Sequence, residues 1–74
     1  MDAPVLPPRY RIEHRHAGQI TVIHAAICMR PNVRTLDPYI SRLLLNGMSG
    51  AVVVVDEWTG EDTMRRNVKR RPTR

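Results

Sequence analysis

The chain of 74 residues contains no phenylalanine, a single cysteine and no long apolar run. One cysteine excludes an intrachain disulfide, so a small core needs other support, such as a metal, an oligomer or a partner. We expect Cys28 to be a small buried residue in a reducing compartment. The ~20 consecutive apolar residues of a membrane-spanning helix are missing. The chain opens without a signal-peptide pattern, and we expect one cytoplasmic domain.

Acidic residues are missing from the last 11 positions, which carry six of the 12 basic residues. Residues 1–63 carry the other six basic residues and all seven acids, so their net charge is −1 and the formal charge of +5 belongs to the C-terminal segment. Such a segment can neutralise nucleic-acid phosphates or occupy an acidic groove of a protein. The candidate binding residues are its six basic side chains: Arg65, Arg66, Lys69, Arg70, Arg71 and Arg74.

Alternation of side chains predicts a strand over residues 10–16, and Ala17-Gly18 is typical of a hairpin turn. The next segment, residues 19–29, is rich in β-branched residues and apolar on both faces, which indicates a central strand covered on both sides. Pro31 ends this segment.

Asp37-Pro38 favours the start of a short helix, with Thr35 as an alternative cap, and Gly47 is placed to end it in a left-handed conformation. Residues 51–55 predict a buried strand. Residues 63–68 form either a fourth strand or a free arm. The expected fold class is therefore α+β, with a small antiparallel ββαβ(β) sheet and one short helix packed on one face.

Three parts of the chain are expected. Residues 1–9, with three prolines, form an extended arm. Residues 10–68 form the ββαβ(β) domain, and residues 69–74 form a basic tail.

One helix covers only one face of the sheet, yet two of the predicted strands, residues 19–29 and 51–55, are apolar on both faces by composition. The arm, a second copy of the chain or a partner must then cover the other face, which predicts an interaction site. The candidate interface residues are Ile23, Ile27, Met29 and Trp58. Trp58 lies in an acidic turn, where it either anchors an interface or folds back onto the core.

Histidines and carboxylates raise the question of a metal or a catalytic site. A three-residue turn would place His14, His16 and His24 on one face, whereas a two-residue turn sets His14 opposite Thr21 and turns His24 away. Neither arrangement matches a zinc motif. The chain also lacks a nucleophile-elbow pattern and a P-loop. We therefore expect neither an enzyme nor a cofactor or metal.

These features predict a small non-enzymatic regulator, an inhibitor or an adaptor. Its sheet face or edge would bind a protein partner or a second copy, and its arginine-rich tail would reach nucleic acid or an acidic groove. A polymerase or an RNA-guided nuclease is the kind of partner that suits both parts. The alternative is a protein that binds nucleic acid directly and sequence-tolerantly through the tail, with contacts to the backbone only.

Overall fold

A computed structural model describes residues 6–69, which form a four-stranded antiparallel sheet with one helix packed against it. The strands lie side by side in the order β2-β1-β3-β4. The predicted α+β class is confirmed. Residues 63–68, for which the sequence allowed either a fourth strand or a free arm, form a strand. The elements in chain order are β1 (Tyr10–His16), β2 (Gln19–Ile27), α1 (Val33–Leu45), β3 (Gly50–Asp56) and β4 (Asp62–Val68).

The most apolar early strand, β2, lies at the edge of the sheet, so the prediction of a central, doubly covered strand is wrong. β3 is central instead: it pairs with β1 on one side and β4 on the other, and Ala51 to Val55 are buried. Both segments are rich in β-branched residues. Composition alone therefore did not separate the strand that is buried from the strand that lies outside it.

Two irregularities between β1 and β2 set the direction of the β2 side chains. His14 lies opposite Thr21, as a two-residue turn requires, but Ile12 lies opposite His24, so Ile23 is an extra residue. A second irregularity follows near Ala26, whose φ is +54°. Because a bulge reverses the alternation beyond it, His24 returns to the face that His14 occupies.

The helix begins at Val33, five residues earlier than Asp37-Pro38 predicts. The Asn32 side chain accepts a hydrogen bond from the Thr35 N–H at 2.9 Å, and the Thr35 hydroxyl accepts one from the Asn32 N–H at 3.2 Å. This reciprocal capping box satisfies two amides at the helix start. Pro38 therefore lies inside α1 rather than at its first position.

The helix ends as predicted at Gly47, whose φ is +71°. The Gly47 N–H donates to the Leu44 carbonyl at 3.0 Å and the Met48 N–H donates to the Leu43 carbonyl at 2.8 Å. These paired bonds satisfy carbonyls that the last turn leaves free.

The main core lies between α1 and the sheet. Leu36 and Ile40 supply the buried residues of the helix. They pack with residues of three strands: Ile12, Val52, Val54 and Val68. No helix within residues 6–69 is long and apolar enough to cross a membrane.

Candidate interaction surfaces

The face of the sheet that points away from α1, here called the outer face, combines charged and apolar side chains. β1 supplies the charged side chains in its centre, β3 supplies buried aliphatic ones, and β2 supplies exposed aliphatic ones. Its members by register are Arg11, Glu13, Arg15, Ile20, Val22, Ala51, Val53, Val55, Asp62, Arg65 and Asn67.

An ion-pair network crosses this face. Glu13 accepts hydrogen bonds from the Nε atoms of Arg11 at 2.5 Å and Arg15 at 3.0 Å. The Arg15 guanidinium also donates two hydrogen bonds of 2.8 Å to the Asp62 carboxylate. Arg15 belongs to β1 and Asp62 to β4, so this contact passes over β3, the strand between them. It therefore shields the aliphatic side chains that β3 directs to the outer face.

The network lowers the pKa values of both carboxyl groups. Burial by itself would raise the pKa of Glu13, but the hydrogen bonds and charges of Arg11 and Arg15 outweigh it and the pKa is lowered. The pKa of Asp62 is lowered mainly by its hydrogen bonds from Arg15, and the charges of Arg65 and Arg11 add to this effect. Hydrogen bonding likewise raises the pKa of Arg15. The network is therefore charged at neutral pH.

The apolar side chains that remain open on the outer face belong to β2. Ile20 is 61% exposed and Val22 is 52% exposed. Ile23 and Ile27 are half-buried and pack against the core beneath α1, so the expectation that they line the uncovered face is wrong. The two-residue turn is the reason, because it sets Thr21 opposite His14 and so directs Ile23, two residues further along β2, to the helix side.

The two edges of the sheet differ in charge. β2 spans nine residues, Q-I-T-V-I-H-A-A-I, without an Asp, Glu, Lys or Arg. β4 contains Arg65 and Arg66 and is followed directly by Lys69. Charged residues on an edge strand oppose pairing with another chain. By this criterion β4 is protected against strand addition and β2 is not.

Trp58 does not cover the core and is 47% exposed. Its indole N–H donates to the Pro7 carbonyl at 2.7 Å, and the Arg9 guanidinium lies 5.9 Å from the ring centroid. The Glu57 N–H donates to the Arg9 carbonyl at 2.9 Å. Trp58 thus holds residues 6–9 of the predicted arm against the turn between β3 and β4. Residues 1–5 lie outside the described residues.

The Glu57 carboxylate, at the same end of the sheet, contacts β2. It accepts a hydrogen bond from the Ala26 N–H at 2.8 Å, where β2 bulges. Met29, beyond the end of β2, is 79% exposed, and Cys28 is exposed rather than buried. Of the predicted interface residues, Met29 and Trp58 are therefore at the surface, but they are not part of the outer face.

The histidines bind separate partners. His14 is buried and its Nε2 atom lies 2.6 Å from the Ser49 carbonyl oxygen, while the His24 Nδ1 atom lies 3.0 Å from the Tyr39 hydroxyl. His16 stacks on His14 with ring centroids 6.1 Å apart. Among residues 6–69, no three His, Cys, Asp or Glu side chains converge closely enough to hold a metal ion.

The six basic residues predicted to bind nucleic acid fall into different environments. Arg65 is exposed on the outer face, whereas Arg66 faces α1, where it contacts Asp37 and donates to the Val33 carbonyl at 3.1 Å. Arg66 is therefore a structural link between β4 and the helix start. Lys69 is exposed just after β4. Arg70, Arg71 and Arg74 lie outside the described residues.

Comparisons with protein-family models, with curated proteins and with solved structures found no match. Function must therefore be inferred from the surfaces described above.

Proposed function

We propose that this is a non-enzymatic interaction protein that binds a protein partner through the free edge of β2. Its basic C-terminal segment reaches nucleic acid or an acidic groove on the same assembly. The supporting observation is the contrast between an uncharged, exposed edge at β2 and a cationic edge at β4. A strand edge of this kind presents unpaired N–H and C=O groups that another chain can pair with.

The partner would supply an extended segment that continues the sheet beyond β2. Main-chain hydrogen bonds would provide affinity, and Ile20 and Val22 would provide apolar contacts to alternate side chains of that segment. A partner that itself holds nucleic acid, such as a polymerase or an RNA-guided nuclease, would engage the β2 edge and the basic segment together. Inhibitor and adaptor are both roles that such binding can serve.

A charge placed on β2 tests this proposal. Val22→Lys adds a cation to the docking edge, and Asn67→Lys adds the same charge to the edge that already carries arginines. In affinity capture from an extract of the source cells, followed by quantitative mass spectrometry, Val22→Lys should recover about one tenth of the wild-type partner, since a charge desolvated on an edge strand opposes pairing. Asn67→Lys should recover the wild-type amount.

Circular dichroism and thermal unfolding of both variants check that each is folded. Equal recovery by the two folded variants would show that the β2 edge does not bind the partner. A wild-type dimer at micromolar concentration that Val22→Lys converts to monomer would assign the edge to a second copy, and would contradict the proposal of a separate partner.

Direct binding of nucleic acid is the second candidate, and the last 11 residues, with six basic side chains and no acid, favour it. β4 ends at Val68, so a chain that stops at Lys69 retains the whole strand, whereas removal of residues 65–74 would destroy it. If the protein acts by binding nucleic acid through the tail alone, removal of residues 70–74 should abolish its function. A protein that acts through β2 should keep most of its partner affinity.

A further inference from the structure

A cleft of about 450 Å³ lies beside the turn between β1 and β2, at one end of the outer face. Arg15 of β1 and Arg65 of β4 line it together with His16, Gln19 and Ile20 and with small residues, among them Gly18 and Gly50. The cleft therefore spans the end of the central strand. None of the described residues that line it is acidic, and none is a phenylalanine, tyrosine or tryptophan.

The two arginines present hydrogen-bond donors in different ways. Arg15 is held in place because three of its donor contacts are made with Glu13 and Asp62. A guanidinium has five N–H groups, so about two remain for a ligand. Arg65 is exposed and forms neither an ion pair nor a hydrogen bond with the residues that the structure describes. An arginine that is already paired with two carboxylates and an accessible one thus share the cleft.

The basic segment begins at this cleft. Gly50, which lines it, lies opposite Val68 at the end of β4. Lys69, which is not among the lining residues, follows Val68 directly, and Arg70, Arg71 and Arg74 come next in the sequence. Arg65 and Lys69 belong with the other cations of the basic segment to one stretch of the sequence, and Arg15 shares the cleft with Arg65. Such an arrangement fits a linear polyanion better than it fits an isolated ion.

We propose that this cleft binds the phosphates of a single-stranded nucleic acid. Its volume is in the range of small-ligand sites and suits one or two nucleotides rather than a duplex. The small residues allow a phosphate to approach the backbone closely. Because the described lining residues offer no large aromatic ring for stacking, the contact would be to the backbone and sequence-tolerant. The inference rests on the nucleic-acid part of the proposed function and is independent of the β2 edge.

Fluorescence anisotropy with a labelled oligothymidylate of about 15 nucleotides tests the cleft. Arg65→Gln removes its accessible cation, and Arg34→Gln removes an exposed cation from the helix side as a matched control. Loss of one phosphate contact should weaken binding about five-fold near 0.1 M salt and reduce the slope of log affinity against log salt by about 0.7. Arg34→Gln should change the affinity and the salt slope only by the small amount that follows from removing one positive charge from the whole protein.

The same pair of substitutions in a chain that ends at Lys69 separates the cleft from the tail. If Arg65→Gln weakens binding in both the full and the shortened chain, the cleft binds phosphate. If Arg65→Gln and Arg34→Gln bind the oligomer with equal affinity and only removal of the tail weakens binding, the tail alone binds. That result overturns the cleft inference, while the nucleic-acid function stands. If the wild-type chain does not bind the oligomer even at low salt, both fail.

Amide shifts measured by NMR identify the source of the phosphate. The oligomer should shift the Gly18 and Gly50 amides at concentrations where inorganic phosphate leaves them unchanged. Equal shifts with inorganic phosphate at the same concentration would show a site for a free anion and would overturn the assignment to nucleic acid.

Discussion

Gly50 begins the central strand in a conformation that other residues rarely adopt. Its φ is +108°, and a Cβ atom built there would lie 2.3 Å from the backbone oxygen of Arg15. Backbone cannot move away as a flexible side chain can, so β1 and β3 approach this closely only because residue 50 has no side chain. Gly60 also has a positive φ, of +76°, but a Cβ there would meet nothing within 4 Å.

Gly50→Ala should therefore cost about 3 kcal/mol or more of unfolding free energy, from strain and displacement of the backbone. Gly60→Ala should cost only about 1 kcal/mol, because it is strained but has room. Urea unfolding followed by circular dichroism measures both. Similar losses for the two variants would mean that the close approach of β1 and β3 is not required.

At the residue scale, the sequence predicted the turn and the pairing beside it better than it predicted the face to which each side chain of β2 points. Alternation correctly gave the two-residue turn as one option and His14 opposite Thr21 as its consequence. It did not reveal the bulges that return His24 to the helix side. A bulge depends on pairing with another strand, so it has little signature in the sequence of one strand.

At the scale of elements, α1 carries a proline in its interior. Pro38 cannot donate to the Arg34 carbonyl, and its ring crowds the preceding turn. Asp37-Pro38 therefore resembles a helix start, and the true start at Asn32 was missed because its cap is made with Thr35 three residues later. Helix existence and its end at Gly47 were predictable, since both follow from local periodicity and from glycine.

Pro38→Ala should stabilise the protein by about 1–3 kcal/mol, because it restores a helical hydrogen bond and removes the ring. Thermal unfolding measures the gain. Pro31→Ala provides the comparison, since Pro31 is buried before the helix and its replacement offers no helical hydrogen bond. A fall in stability for Pro38→Ala would indicate that the proline is required for the path of α1.

At the scale of the whole molecule, the ion-pair network joins β1 to β4 and makes stability depend on pH. The folded-state pKa values of Glu13 and Asp62 are lowered, so these groups stabilise the fold above their unfolded pKa values. That stability is lost as the pH falls through their folded-state pKa values. The thermal midpoint Tm should therefore fall as the pH is lowered below about 4.

Glu13→Gln should lower Tm at neutral pH and flatten its decline in acid, because one of the groups that titrates is removed. Calorimetry between neutral pH and acid measures the curve. Glu61→Gln, at an exposed acid whose side chain pairs with none of the described residues, should leave the curve unchanged. An unaltered acid decline in Glu13→Gln would exclude this residue as its source.

The whole-molecule charge pattern was predictable, since the acids and bases are segregated along the sequence. The order of strands was not, and with it the cleft between Arg15 and Arg65 was missed. Arg15 and Arg65 are far apart in the chain. They line one cleft because β1 and β4 lie on the two sides of β3. The outer face was expected to be an apolar site, but arginine side chains shield much of it.

The strand order also governs how the protein is assembled during synthesis. β1 with β2, and β3 with β4, are each hairpins of neighbouring segments, whereas contact between β1 and β3 joins the two halves. The first hairpin and α1 leave the ribosome before the valines that bury Leu36 and Ile40 have been made. A product of premature termination ahead of β3 would expose those side chains, and cellular proteases would remove it.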